Sequence, residues 1–169
     1  MTELPGGRER PSRMGGEQEM LPGMLDFLRA TVVHKVTGLT DEQARRAPCV
    51  PSTMTPLGLV KHLTATERWW FSIDFADLDV PPPWPESEAR MDGFELADED
   101  TVDSVLAGYQ AECAASREVV AAAEFDDPAT GAVRGFNLRF ALVHMIEETG
   151  RHCGHLDLLR EALDGARGQ

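Results

Sequence analysis

The chain has 169 residues, 42% of them hydrophobic and 7% aromatic, which suits one soluble globular domain and is too short for two comfortable ones. Against 16 Lys and Arg stand 29 Asp and Glu, a formal charge of −13 that argues against nucleic acid or an anionic membrane as the main partner, since both want a positive face. The 3 cysteines, Cys49, Cys113 and Cys153, are widely spaced without a CxxC, so a disulfide framework and a zinc finger are not indicated and a reducing, cytoplasmic setting is expected.

In chain order, Met1 to Gly16 is rich in Gly, Pro, Arg and Glu and reads as a disordered tail, leaving residues 17–165 as the single domain. The first helix is expected from about Glu17 to Thr37, with Met20, Met24, Phe27, Leu28 and Val32 as its apolar stripe. Gly38 suits a C-cap, and Leu39 to Glu42 starts a turn or a brief helix. Two prolines make Pro48 to Met54 a loop. Thr55-Pro56 then reads as an N-cap with proline at N1, opening a second long helix to about Phe75 with Val60, Leu63, Trp70 and Phe71 inward. Asp77 to Ala97, with the proline run 81–83, Trp84 and many acids, reads as a long connection of the kind that lets flanking helices run parallel. Trp84 within it reads as a lid or as an anchor for the crossover.

The third helix is expected from about Thr101 to Ala123, with Val102, Val105, Leu106, Tyr109 and Cys113 on its apolar side. After a glycine-containing loop, the fourth runs from about Leu138 to Leu163 on a seam of Leu138, Leu142, Met145, Thr149, Leu156, Leu159 and Leu163. Four long helices, no repeats, no apolar run long enough to cross a membrane and one long crossover predict an all-α four-helix bundle.

Polar residues interrupt the fourth seam. His144, Glu148 and His152 step by four, so they form a slowly drifting stripe. At roughly 100° per residue His152 lies near the seam's centre, Glu148 about 40° away, and His144 and His155 farther round. An inward carboxylate needs a partner, either a divalent metal or an arginine, because burying it unpaired costs several kcal/mol. On the second helix His62 lies beside the Leu59, Trp70 and Ile73 side and Glu67 on the side of Val60, Leu63 and Phe71. Imidazole and carboxylate together are ligands for zinc, nickel or iron, and three ligands would leave a position open, the catalytic pattern. The alternative is a hydrogen-bonded boundary salt-bridged by Arg151 and Lys61. No HExxH and no nucleophile elbow occur.

The run from Pro51 to Leu63, followed by Glu67-Arg68-Trp69-Trp70-Phe71, resembles the second-helix region of the DinB-like superfamily, most closely its mini-circle protein branch. The run from Leu142 to Glu161 resembles that branch's fourth-helix signature, and the likeness covers nearly everything from Glu17 to Leu163. It implies a four-helix bundle, often a homodimer, with a divalent metal held by His62, Glu148 and His152. Glu148 stands where the superfamily has a third histidine. Relatives include transferases and isomerases that use low-molecular-weight thiols such as mycothiol or bacillithiol, whose thiolate the metal favours as a Lewis acid, so a related isomerase or hydrolase is also open. The expectation is a divalent-metal-dependent thiol transferase, with zinc first and nickel or iron as alternatives. His144 or His155 would orient a ligand or pass a proton, and Trp70 and Glu67 would contact or support the cofactor. A non-catalytic small-molecule-binding or structural bundle is the alternative.

Overall fold

Among the described α-helices, all but the first begin at a side-chain cap. In the computed structural model, which describes residues 8–81, 94–133 and 135–167, α1 spans Glu17–Val36 and is followed by Gly38 in the left-handed region at φ +85°. The short α2, Asp41–Ala44, is closed by a capping box between Thr40 and Gln43. α3, Pro56–Glu67, starts with the Thr55 hydroxyl accepting from the Gly58 N–H and proline at its first turn. The rod continues as a π-helical segment, Arg68–Phe75, where bonds reach five residues back, as from the Ala76 N–H to the Phe71 carbonyl. α4, Val102–Ala121, carries a Thr101–Ser104 capping box, and α5, Leu138–Asp164, runs from an Asn137 cap to Gly165 at φ +78°. No described helix is long and apolar enough to cross a membrane.

Inter-helix contacts set the directions. Arg139 at the start of α5 meets Glu17 at the start of α1, and Arg160 near its end donates to the carbonyls of Lys35 and Thr37, so these helices run parallel. Lys61 meets Asp100 just before α4, and Arg68 meets Glu112 within it, so α3 and α4 also run parallel, as helices joined by a long connection do. Residues 82–93 of that connection, including Trp84, lie outside the described residues.

The interior has two apolar clusters. One holds Val32, Val36, Leu59, Leu63, Tyr109 and Leu156, and the other Leu25, Phe71, Phe75, Leu138, Leu142 and Met145. Between them on α1, α3 and α5 sit Arg29, Glu67, Glu148, Thr149 and His152, all buried. The bundle therefore carries a polar layer across its middle. In that layer Arg29 donates to both oxygens of Glu67 at 2.7 and 2.5 Å and to Asp26 at 2.9 Å.

One expectation needs correction. Of the apolar stripe expected on α1, Phe27 and Val32 are buried, but Met20 is 37% exposed and Met24 half-buried, and the buried side also holds Leu25, Arg29 and Val36. A charged residue occupies the stripe and hides its period, and it is tolerated there because Glu67 on α3 meets it. Ahead of α1, Arg8 is 1% exposed and donates to Thr31, and Arg10 lies over the Phe27 ring.

Candidate metal centre

α3 and α5 face each other across the polar layer and bring three side chains together. His62 Nε2 and His152 Nε2 each stand 3.0 Å from the same carboxylate oxygen, Oε1 of Glu148. One donor atom from each of the three lies within 4.8 Å of the others. Glu148 and His152 are buried, and the His62 side chain is 14% exposed, so the group sits at the inner edge of a solvent-facing seam. Ligands about 2.0–2.2 Å from a zinc ion stand roughly 3.3 Å apart in a tetrahedron; the two 3.0 Å contacts are near that spacing, so the donor set suits a divalent ion, and three ligands would leave a fourth position open.

The other carboxylate oxygen of Glu148 meets Arg151. Metal and arginine were alternative partners on sequence grounds, but the two oxygens face opposite ways, so the arginine leaves Oε1 directed at the histidines. Ligating carboxylates are commonly held from behind in this manner.

Charge states favour ligation. Burial would raise the Glu148 carboxyl, but the hydrogen bond from His62 and the charges of His152 and Arg151 outweigh it and hold it below its ordinary value. Burial pushes the His152 imidazole down, and Glu148 only partly offsets that. The pair is thus anionic carboxylate and neutral imidazole near pH 7, the forms that bind cations. His155 Nδ1 lies 3.2 Å from His152 Nδ1. Beside the Glu148 carboxylate a neutral His152 donates its Nε2 proton, which leaves Nδ1 to accept from His155; ligation through Nε2 would move that proton to Nδ1, facing His155.

Other candidates lie elsewhere. His144 packs on Trp70 at 4.2 Å between ring centroids and lies nearly parallel to Phe140 at 6.3 Å. With Phe136 these rings make an aromatic cluster one turn of α5 before Glu148. The carboxylate of Glu67 is taken up by Arg29, beside Tyr109 and Cys113. Cys153 is packed, its Sγ 3.6 Å from the Leu28 carbonyl, and burial pushes its thiol up to about 12. Sequence reasoning missed Phe94, whose ring lies 4.4 Å from that of His62 at an interplanar angle of 7°. It also missed Arg29, for which an inward Glu67 in need of a partner was the available signal.

A family model described as mycothiol-S-transferase matches residues 20–165, a span that includes all three clustered side chains. The chain belongs to the mycothiol-S-transferase family. That family is DinB-like, and the bundle is similar to a crystal structure of a conserved protein from Enterococcus faecalis. The two share 14% identity and a TM-score of 0.61, over 90% of this chain and 99% of that one. That likeness shows the fold alone. No curated protein matches the chain.

Proposed function

We propose that this mycothiol-S-transferase family member transfers a low-molecular-weight thiol, mycothiol by its family, to a small electrophilic substrate at a divalent metal held by His62, Glu148 and His152. The observation that carries the reading is the convergence of these three side chains, from two helices, with donor atoms within 4.8 Å. The metal, zinc first and nickel or iron as alternatives, supplies Lewis acidity that favours the thiolate over the thiol near neutral pH.

This chain's own residues do the rest. Glu148 contributes the negative charge, and Arg151 fixes its second oxygen. With a metal on Nε2, His155 would accept the Nδ1 proton of His152 and so hold the ligating tautomer. Trp70 packs on His144, which stands one helical turn, roughly 6 Å of rise, before Glu148. The same reading takes the protein as a cytoplasmic homodimer.

Protein purified without added metal, then reconstituted with zinc and analysed for bound metal, tests the reading. Close to one equivalent is expected, abolished in Glu148→Ala and His152→Ala, together with zinc-dependent consumption of mycothiol when electrophiles are screened. Uptake far below one equivalent after reconstitution refutes it. That result favours a second reading, a non-catalytic bundle in which Arg151 is the sole charge partner of Glu148, and the observed Arg151 contact is what speaks for it.

A further inference from the structure

The ring of His62 has a broad rotational freedom about its last side-chain torsion, as histidines do, and ligation needs one orientation of it. Phe94 lies flat on that ring, 4.4 Å away and within 7° of parallel. Turning the imidazole out of its plane would drive its edge into the phenyl face. With the ring held, Nε2 points at Oε1 of Glu148.

Phe94 is delivered to this position by a segment that is firmly tied down. The Arg45 guanidinium donates to the carbonyls of Ala97, Asp98 and Asp100 at 2.6, 3.0 and 2.7 Å. Asp100 pairs with Lys61, the neighbour of His62, at 2.8 Å and accepts from the Ala97 N–H at 2.7 Å. Leu96 packs into the adjoining apolar cluster. Finally, the backbone at Phe94 comes so close to α3 that a Cβ on Gly58 would stand 2.6 Å from the Phe94 carbonyl oxygen and 2.9 Å from the Thr55 hydroxyl. A glycine one turn before His62 is what admits the chain here, at a helix position where alanine is the better helix former.

We propose that Phe94, seated through Gly58, is a positioning residue that locks the His62 ring in its ligating orientation and so sets the affinity of the metal site. The proposal rests on the metal reading above. It links the end of the long connection directly to a ligand: whatever displaces residues 94–100 also loosens His62.

The test uses the full chain and zinc, with affinity read by competition against a chromophoric chelator, and cobalt as a spectroscopic substitute. Phe94→Leu keeps apolar bulk but removes the flat ring and is expected to weaken zinc roughly tenfold, the low end of what supporting residues around metal ligands are worth. Phe94→Trp restores a flat ring and is expected to bind within a few-fold of wild type. Gly58→Ala is expected to weaken zinc in the same way, and the Gly58→Ala/Phe94→Leu double variant no further, because both act through one contact. The visible spectrum of bound cobalt shifts in Phe94→Leu and Gly58→Ala and returns in Phe94→Trp. In metal-free protein the His62 ring protons are shifted upfield by the stacked phenyl and move downfield in Phe94→Leu.

Zinc affinity in Phe94→Leu equal to wild type overturns the latch, as does Phe94→Trp binding as weakly as Phe94→Leu. Additive losses in the double variant overturn the link through Gly58. Absence of zinc uptake by wild type refutes the metal reading and the latch together, whereas uptake by wild type with undiminished uptake by Phe94→Leu refutes the latch alone.

Discussion

Replacing Glu67 by glutamine keeps its shape and removes one charge of the buried pair. Arg29 is 4% exposed and Glu67 fully buried, with bonds of 2.7 and 2.5 Å to the two carboxylate oxygens. Burial opposes the guanidinium charge, and the Glu67 carboxylate outweighs that penalty, lifting Arg29 above its ordinary value. Without it the cation is left to Asp26, whose side chain is 40% exposed. Removing one partner of such a pair costs about 3–5 kcal/mol, whereas replacing both by apolar side chains of similar volume is often near neutral. Glu67→Gln is therefore expected to lower the unfolding free energy by about 3 kcal/mol. At about 2–4 °C per kcal/mol for a chain of this size, Tm falls by roughly 6–12 °C. The double variant Arg29→Met/Glu67→Leu recovers most of the loss. Urea unfolding followed by circular dichroism, with the slope m unchanged, measures it. A Glu67→Gln variant within about 1 kcal/mol of wild type, or a double variant as unstable as the sum of its singles, refutes the account. Because Glu67 is engaged by Arg29, folded Glu67→Gln is also expected to keep its zinc affinity. Lost affinity at full stability would instead place Glu67 among the residues that support the metal.

Burial pushes the thiols of Cys113 and Cys153 up to about 12, so at pH 8 roughly one molecule in ten thousand carries either thiolate. A disulfide reagent is expected to modify Cys49 alone in the native protein and all three thiols after unfolding, and rapid native modification of two would contradict this. At Asp100 burial opposes the charge, but Lys61 and the Ala97 N–H outweigh it and hold the carboxyl below its ordinary value. A carboxyl whose folded value is depressed contributes stability above its unfolded value, and that contribution disappears as pH falls through the folded one. Stability of the wild type is thus expected to fall more steeply than that of Asp100→Asn on acidification below the ordinary carboxylate range, and parallel pH profiles would refute the assignment.

The four long helices were legible because their signals are local. Thr55-Pro56, Thr101 and Asn137 act on backbone groups within three residues, and the seams of α4 and α5 repeat within a turn. The π-helical turns after Glu67 have no such signature, since the sequence pattern there is that of an ordinary helix end. The stripe of α1 was legible only in part, at Phe27 and Val32, for a different reason. Arg29 and Lys35 lie on its buried side, and what makes that tolerable is Glu67 from α3 and Asp157 from α5.

The net charge divides in the same way. Many of the acids between Glu86 and Asp103 read as a solvated surface, yet Asp100 is bound to Lys61 and anchors the segment that delivers Phe94. At the candidate centre the sequence by itself determined which residue types stand at helical spacing, and the family resemblance singled out His62, Glu148 and His152. Only the tertiary structure brought His62 to Glu148 across 86 residues, turned one carboxylate oxygen to the histidines and the other to Arg151, and laid Phe94 on His62. Periodicity is a property of one helix, whereas ligation, ion pairing and ring stacking depend on how two elements meet, which no single element encodes.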